Sequence, residues 1–213
     1  MVNVEGVGTW NAVDSRRNMR TTVAALVGAV LLTGGLAACS GEAPPSAPKA
    51  PEIKPVAETA VDAPAASGDQ PKGITYDVKR IPVGAKLSTG ASVSDGRTTV
   101  ELKVSGLLPD TKYGSHVHTK PCGAKPADSG PHYQHEKDPV TPSVDPKYAN
   151  AQNEIWLDFT TDAQGAATGT ATVGWEFRKG EANAVIVHAA HTSTEHGKAG
   201  TAGDRLACLT AQF

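Results

Sequence analysis

The chain has 213 residues, with 20 Lys and Arg against 22 Asp and Glu, a formal charge of −2. It carries no basic stripe, which leaves no electrostatic footing for nucleic-acid binding. Its one long apolar run, Thr21 to Leu36, is too short and too broken by glycine to make a good membrane span.

Residues 1–38 read as a secretory signal. Arg16, Arg17 and Arg20 precede the apolar run, and Leu36-Ala37-Ala38 leads to Cys39. The Leu-Ala-Ala-Cys ending resembles a bacterial lipobox. That resemblance implies lipidation of Cys39 and a protein exported and anchored on the outer side of the cell membrane. An ordinary signal peptide with an incidental cysteine is the plainer alternative. Met19 is a second candidate start, and Ser15-Arg16-Arg17 leaves both Sec and Tat export open. Removing residues 1–38 takes away three basic and two acidic groups, so the mature charge is −3 (17 against 20).

Residues 39–72, rich in Pro and Ala, read as a disordered spacer. Such a composition offers too little apolar surface to offset ordering entropy, and its prolines favour extended chain. Residues 73–213 are then expected to form one domain, large enough for a real core.

That domain reads as all-β. Alternating or β-branched runs fall at Ile74 to Ile81, Thr98 to Val104, Ile155 to Thr160, Ala167 to Val173 and Ala184 to His188. Turn clusters separate them at Ser94-Asp95-Gly96, Pro109-Asp110, Asp162 to Gly165 and Lys179-Gly180. Short strands at this spacing predict an antiparallel sandwich or barrel. Two long segments, Thr119 to Asn153 and Ala189 to Leu206, lack strand character, and loops of that length are usually functional. Beyond Cys39 only Cys122 and Cys208 remain, and an even pair in an exported domain predicts a disulfide rather than two buried thiols.

All seven histidines lie between positions 116 and 196. His116 and His118 form an H-x-H pair, and residues two apart on a strand share a face. His188 closes an apolar strand, where an imidazole without a partner is costly, and His132 sits in a loop after Gly130-Pro131. Neutral imidazole is the commonest metal ligand, and four imidazoles without thiolate favour copper over a structural zinc site.

From about Gly73 onward the chain resembles the copper/zinc superoxide dismutases, most closely their bacterial exported members. The residues that carry the resemblance are Gly114-Ser115-His116-Val117-His118, Gly130-Pro131-His132, Val185 to Ala189, Gly106-Leu107, and Gly200 to Cys208 with its Arg-Leu-Ala-Cys ending. The resemblance implies a Greek-key β-barrel, copper held by His116, His118, His132 and His188, a Cys122–Cys208 disulfide, His132 as proton relay and Arg205 as the guide for superoxide. The plainer role for Arg205 is an exposed ion pair with Asp204.

Two features depart from the family. Its zinc ligands have no counterpart in Ala151 to Ile155, which holds neither histidine nor aspartate. A makeshift zinc site would need His132, His135 and Asp138 or Asp145. The alternative is a copper-only centre in which Glu136, Glu195 or another polar group orients His132. The segment between His188 and Arg205 is also shorter than the family's. Lys198 could still attract an anion there, and His191 and His196 read as solvated. Three functions compete: a copper-dependent dismutase, a copper-binding or storage module of the same fold, and a structural envelope domain. A pure carrier has no need of Arg205.

Overall fold

The structure is a computed structural model and describes residues 51–64 and 71–213. The expected signal segment, its cleavage site and Cys39 lie outside those residues. Nine strands are described: β1 (Lys54–Ala60), β2 (Gly73–Thr75), β3 (Lys86–Ser94), β4 (Arg97–Ser105), β5 (Lys112–His118), β6 (Phe159–Thr160), β7 (Ala167–Val173), β8 (Ala184–His188) and β9 (Arg205–Thr210). They form a four-stranded sheet in the order β1-β3-β4-β7 and a five-stranded sheet in the order β2-β9-β8-β5-β6. Every strand pair is antiparallel. The all-β reading holds, as two antiparallel sheets rather than one closed barrel.

The core follows the alternation seen in the sequence. Val100, Leu102 and Val104 of β4 are buried together with Leu87 of β3, and Val185 and Val187 of β8 join them from the other sheet. The β3–β4 hairpin turns on Asp95 and Gly96, both at positive φ (52° and 70°), as a two-residue turn matching strand twist requires. β8 is buried on both faces. Val185 and Val187 enter the main core, whereas Ala184 and Ile186 pack with Cys122, Cys208 and Ile74 under the loop that follows β5. That double burial explains its uninterrupted apolar sequence.

Several expectations need correction. The spacer assigned to residues 39–72 contains β1, which pairs with β3 from Lys54 to Ala60, and the adjoining Val61 is fully buried. Proline and alanine obscured this strand, because an edge strand tolerates proline and gains most of its support from its neighbour. The folded domain therefore includes Lys54 to Val61 and does not begin at Gly73. The strand expected over Ile74 to Ile81 ends at Thr75. There the Asp77 carboxylate accepts from the backbone N–H of Lys79 and Arg80, and the Asp77 carbonyl accepts from Ile81, curling the chain into a turn. The Ile155 to Thr160 run is a strand only at Phe159–Thr160, apart from one bridge between Trp156 and His116. β3 and β9 form where no strand was expected. The Ser/Gly-rich β3 is set by its pairing with β4, and β9 by its central place between β2 and β8.

Candidate metal centre

The register of β5 and β8 assembles three of the four histidines. His118 lies opposite Ala184, His116 opposite Ile186 and Gly114 opposite His188. Side chains alternate across a strand, so His116, His118 and His188 share the outer face of the five-stranded sheet, while Val117 and Val185 face the core. The loops 119–158 and 189–204 cover that outer face. The first supplies His132, held to β5 by a bridge with His118. Glycine is required at 114 because a Cβ there would collide with the carbonyl of Ala190, where the second loop crosses β5.

One potential ligand nitrogen from each of His116, His118, His132 and His188 lies within 4.8 Å of the others, and no other such group of His, Cys, Asp or Glu occurs among the described residues. His116 and His118 are fully buried and His188 nearly so, whereas the His132 side chain keeps 19 % of its exposure.

The outer hydrogen bonds fix the tautomers. Nδ1 of His118 lies 2.9 Å from the Gly130 carbonyl and Nδ1 of His188 lies 3.3 Å from the Gly203 carbonyl. A carbonyl only accepts, so both Nδ1 atoms carry the hydrogen and both Nε2 atoms present lone pairs. Those two Nε2 atoms face each other at 3.4 Å. His132 is tied in the same way, its Nδ1 2.8 Å from Oε2 of Glu154. Nδ1 of His116 is buried with no hydrogen-bond partner. Lone pairs converging in a buried site, one of them orphaned, are repulsive unless a cation lies among them. The donor set therefore fits a metal ion, held by imidazole alone.

This fit accords with the sequence comparison. The family model for copper/zinc superoxide dismutase matches residues 85–210, more than half of the chain. The chain belongs to the copper/zinc superoxide dismutase family. Among solved structures, the Cu/Zn superoxide dismutase from Brucella abortus is 15 % identical with a TM-score of 0.50, over 76 % of this chain and 100 % of that one. A SOD-like protein from Bacillus subtilis is 14 % identical with a TM-score of 0.45, over 69 % and 100 %. A double mutant of that Bacillus subtilis protein is 18 % identical with a TM-score of 0.46, over 60 % and 89 %. The comparison with curated proteins returns no match.

Electrostatics agree with neutral ligands in this superoxide dismutase fold. Burial, and then the neighbouring histidines, hold His116 well below the usual imidazole range, and His118 likewise. Burial, followed by the positive charge that His132 can carry, lowers His188 to about 3. Neutral imidazole is the form that ligates. Arg205 sits opposite His188 across the β8–β9 bulge. Its Nη1 donates to the Pro126 carbonyl at 2.8 Å and to Oγ of Ser129 at 2.9 Å, in the 3-10 turn Pro126–Ser129. The ion pair with Asp204 does not form among the described residues. The Cys122–Cys208 disulfide, across 86 residues, ties the loop bearing that turn to β9.

The zinc candidates are not brought together. The ring of His135 stacks on Trp175 at 5.1 Å, nearly parallel. The Asp138 carboxylate accepts from the N–H of Val140 and from Oγ of Ser143, and that of Asp145 accepts from the N–H of Lys147. His135 is held against Trp175, and each aspartate serves its own turn. The partner of His132 is neither Glu136 nor Glu195 but Glu154, 1 % exposed. Glu154 also accepts from Nε1 of Trp156 at 2.7 Å and from Nε2 of Gln134 at 2.8 Å. The signal was present, since Glu154 lies inside the very stretch that lacks histidine and aspartate, but an isolated glutamate reads as a surface residue. His191 donates from Nε2 to the Phe159 carbonyl at 2.9 Å, and Lys198 meets Glu195 at 3.4 Å.

Proposed function

We propose that this chain is a copper-dependent superoxide dismutase working at a one-metal centre, exported and tethered outside the membrane through a lipid on Cys39. The observation that carries the reading is the convergence of four imidazoles, three of them tautomer-fixed, beside Arg205. His116, His118, His132 and His188 would hold the ion. Bound copper would supply one-electron cycling between Cu(II) and Cu(I), which zinc lacks. The overall change is two superoxide anions and two protons giving one O₂ and one H₂O₂.

The residues do the rest. Arg205 places a fixed positive charge at the edge of the cluster, and two bonds from Nη1 hold it there, which favours an anion over neutral oxygen. Burial disfavours its charged form, so the charge is poorly screened by water. His132 is the partly exposed ligand, suited to receive a proton at Nε2. The imidazolium so formed would be stabilised by the Glu154 carboxylate at its other nitrogen. Glu154 takes up the outer nitrogen that a second metal would need, which supports one ion rather than two.

The test uses the chain from residue 51 onward, loaded with copper or zinc. Metal per chain is counted and superoxide loss measured on the same samples. Rapid loss with one copper and no zinc, abolished in His188→Ala and lowered in Arg205→Ala without loss of copper, is the expected result. Tight copper without dismutation would move the chain to a copper-binding module.

A further inference from the structure

His116 is turned the opposite way from its neighbours. His118, His132 and His188 each place Nδ1 outward on an acceptor, which leaves Nε2 for the cluster. His116 places Nε2 outward, 2.7 Å from Oγ1 of Thr192, and keeps Nδ1 buried without a partner. A threonine hydroxyl can donate or accept, so this contact alone would not decide which ring nitrogen carries the hydrogen.

Asp158 decides it. Oγ1 of Thr192 lies 2.6 Å from Oδ1 of Asp158, and the backbone N–H of Thr192 donates to Oδ2 of Asp158, also at 2.6 Å. A carboxylate oxygen only accepts, so the hydroxyl hydrogen points to Asp158. The lone pairs of Oγ1 are then all that His116 can meet, and Nε2 has to be N–H. Asp158 is itself held, because Oδ1 accepts from the N–H of Ser115 and the N–H of Leu157 donates to the Ser115 carbonyl.

We propose that Thr192, oriented by Asp158, is a positioning residue that selects Nδ1 as the nitrogen His116 offers to the metal. The proposal rests on the metal reading above but not on dismutase activity. Three separated segments meet in it: β5 through His116, the stretch before β6 through Asp158, and the loop after β8 through Thr192. That last loop also supplies the Gly203 carbonyl to His188. It is therefore a ligand-orienting element rather than only a wall of the site.

The test compares the wild-type chain, Thr192→Val, which keeps the shape and removes the hydroxyl, and Thr192→Ser, which restores it. Long-range ¹H–¹⁵N spectra of the metal-free protein read the tautomer. Wild type and Thr192→Ser are expected to show His116 protonated at Nε2, against Nδ1 for His118 and His188, and Thr192→Val to lose that single form. Cu(II) affinity, measured by chelator competition, is expected to fall roughly 10- to 100-fold in Thr192→Val, as for other outer partners of metal ligands, and to recover in Thr192→Ser. The Cu(II) electron paramagnetic resonance parameters should shift and recover in parallel. A wild-type His116 protonated at Nδ1, or a Thr192→Val protein with unchanged affinity and resonance, would overturn the proposal. A wild type that binds Cu(II) with the expected tautomers yet fails to dismutate superoxide overturns the proposed function and leaves Thr192 in its role.

Discussion

Oε2 of Glu154 accepts the Nδ1–H of His132 at 2.8 Å, and the same carboxylate binds the side chains of Trp156 and Gln134. One buried acid thereby fixes the outer nitrogen of a ligand and closes a network of three donors. Glu154→Ala would leave those donors without their acceptor in a closed site. A loss of about 3 kcal/mol in unfolding free energy is expected, together with weaker copper binding. Urea melts and copper competition check both, and an unchanged urea midpoint would remove Glu154 from its structural role.

Each cluster histidine should matter more for metal than for fold. His116→Ala and His188→Ala are expected to bind less than one copper per chain and to lose dismutation, while strand content by circular dichroism stays near wild type. Full copper retention in either variant would mean that the ion sits elsewhere.

The metal-free protein should weaken in acid. Folded His116 and His118 resist protonation because they are buried, and His188 does so down to about 3. In the unfolded chain each takes a proton near pH 6.5, so the unfolded state binds more protons below that pH. Stability is full above that value and falls by about 1.4 kcal/mol per pH unit for each such group as the pH drops below it. For His188 the loss continues to about pH 3. Urea midpoints of metal-free protein at pH 7.5, 6 and 5 should decline in that order. Equal midpoints would mean that these imidazoles are not held neutral.

The stretch from Lys54 to Val61 belongs to the fold. A chain beginning at Pro51 keeps β1 and the buried Val61, whereas a chain beginning at Gly73 loses both. The expected cost is at least about 2 kcal/mol from the valine alone. Thermal melts of the two forms distinguish them, and equal midpoints would return the segment to the status of a spacer.

Reduction of Cys122–Cys208 removes a cross-link spanning 86 residues. The chain-entropy model puts its contribution at about 4.5 kcal/mol. The reduced protein should also lose activity before it loses copper, because the turn holding Arg205 is anchored by that bond. Loss of copper and of activity in step would argue against this coupling.

Much of the site was legible in the sequence. The H-x-H spacing, the histidine ending an apolar strand and the Arg-Leu-Ala-Cys ending are local patterns, and local patterns survive in a linear sequence. β1 was not legible, because its composition is that of a linker and its stability comes from pairing with β3. Glu154, Asp158 and Thr192 were not singled out either. Each is an ordinary residue type in a loop, distinguished only by what it faces.

The sequence by itself determined the all-β class, because periodicity encodes which side chains share a strand face, and its local motifs carried the four histidines, the cysteine pair and the resemblance to the family. The tertiary structure decided how each imidazole is tied, by Gly130, Gly203, Glu154 and Thr192. Those partners lie 12, 15, 22 and 76 residues from the histidines they hold. A hydrogen bond is directional over about 3 Å, and no sequence spacing of that size specifies where two groups will meet at such a distance.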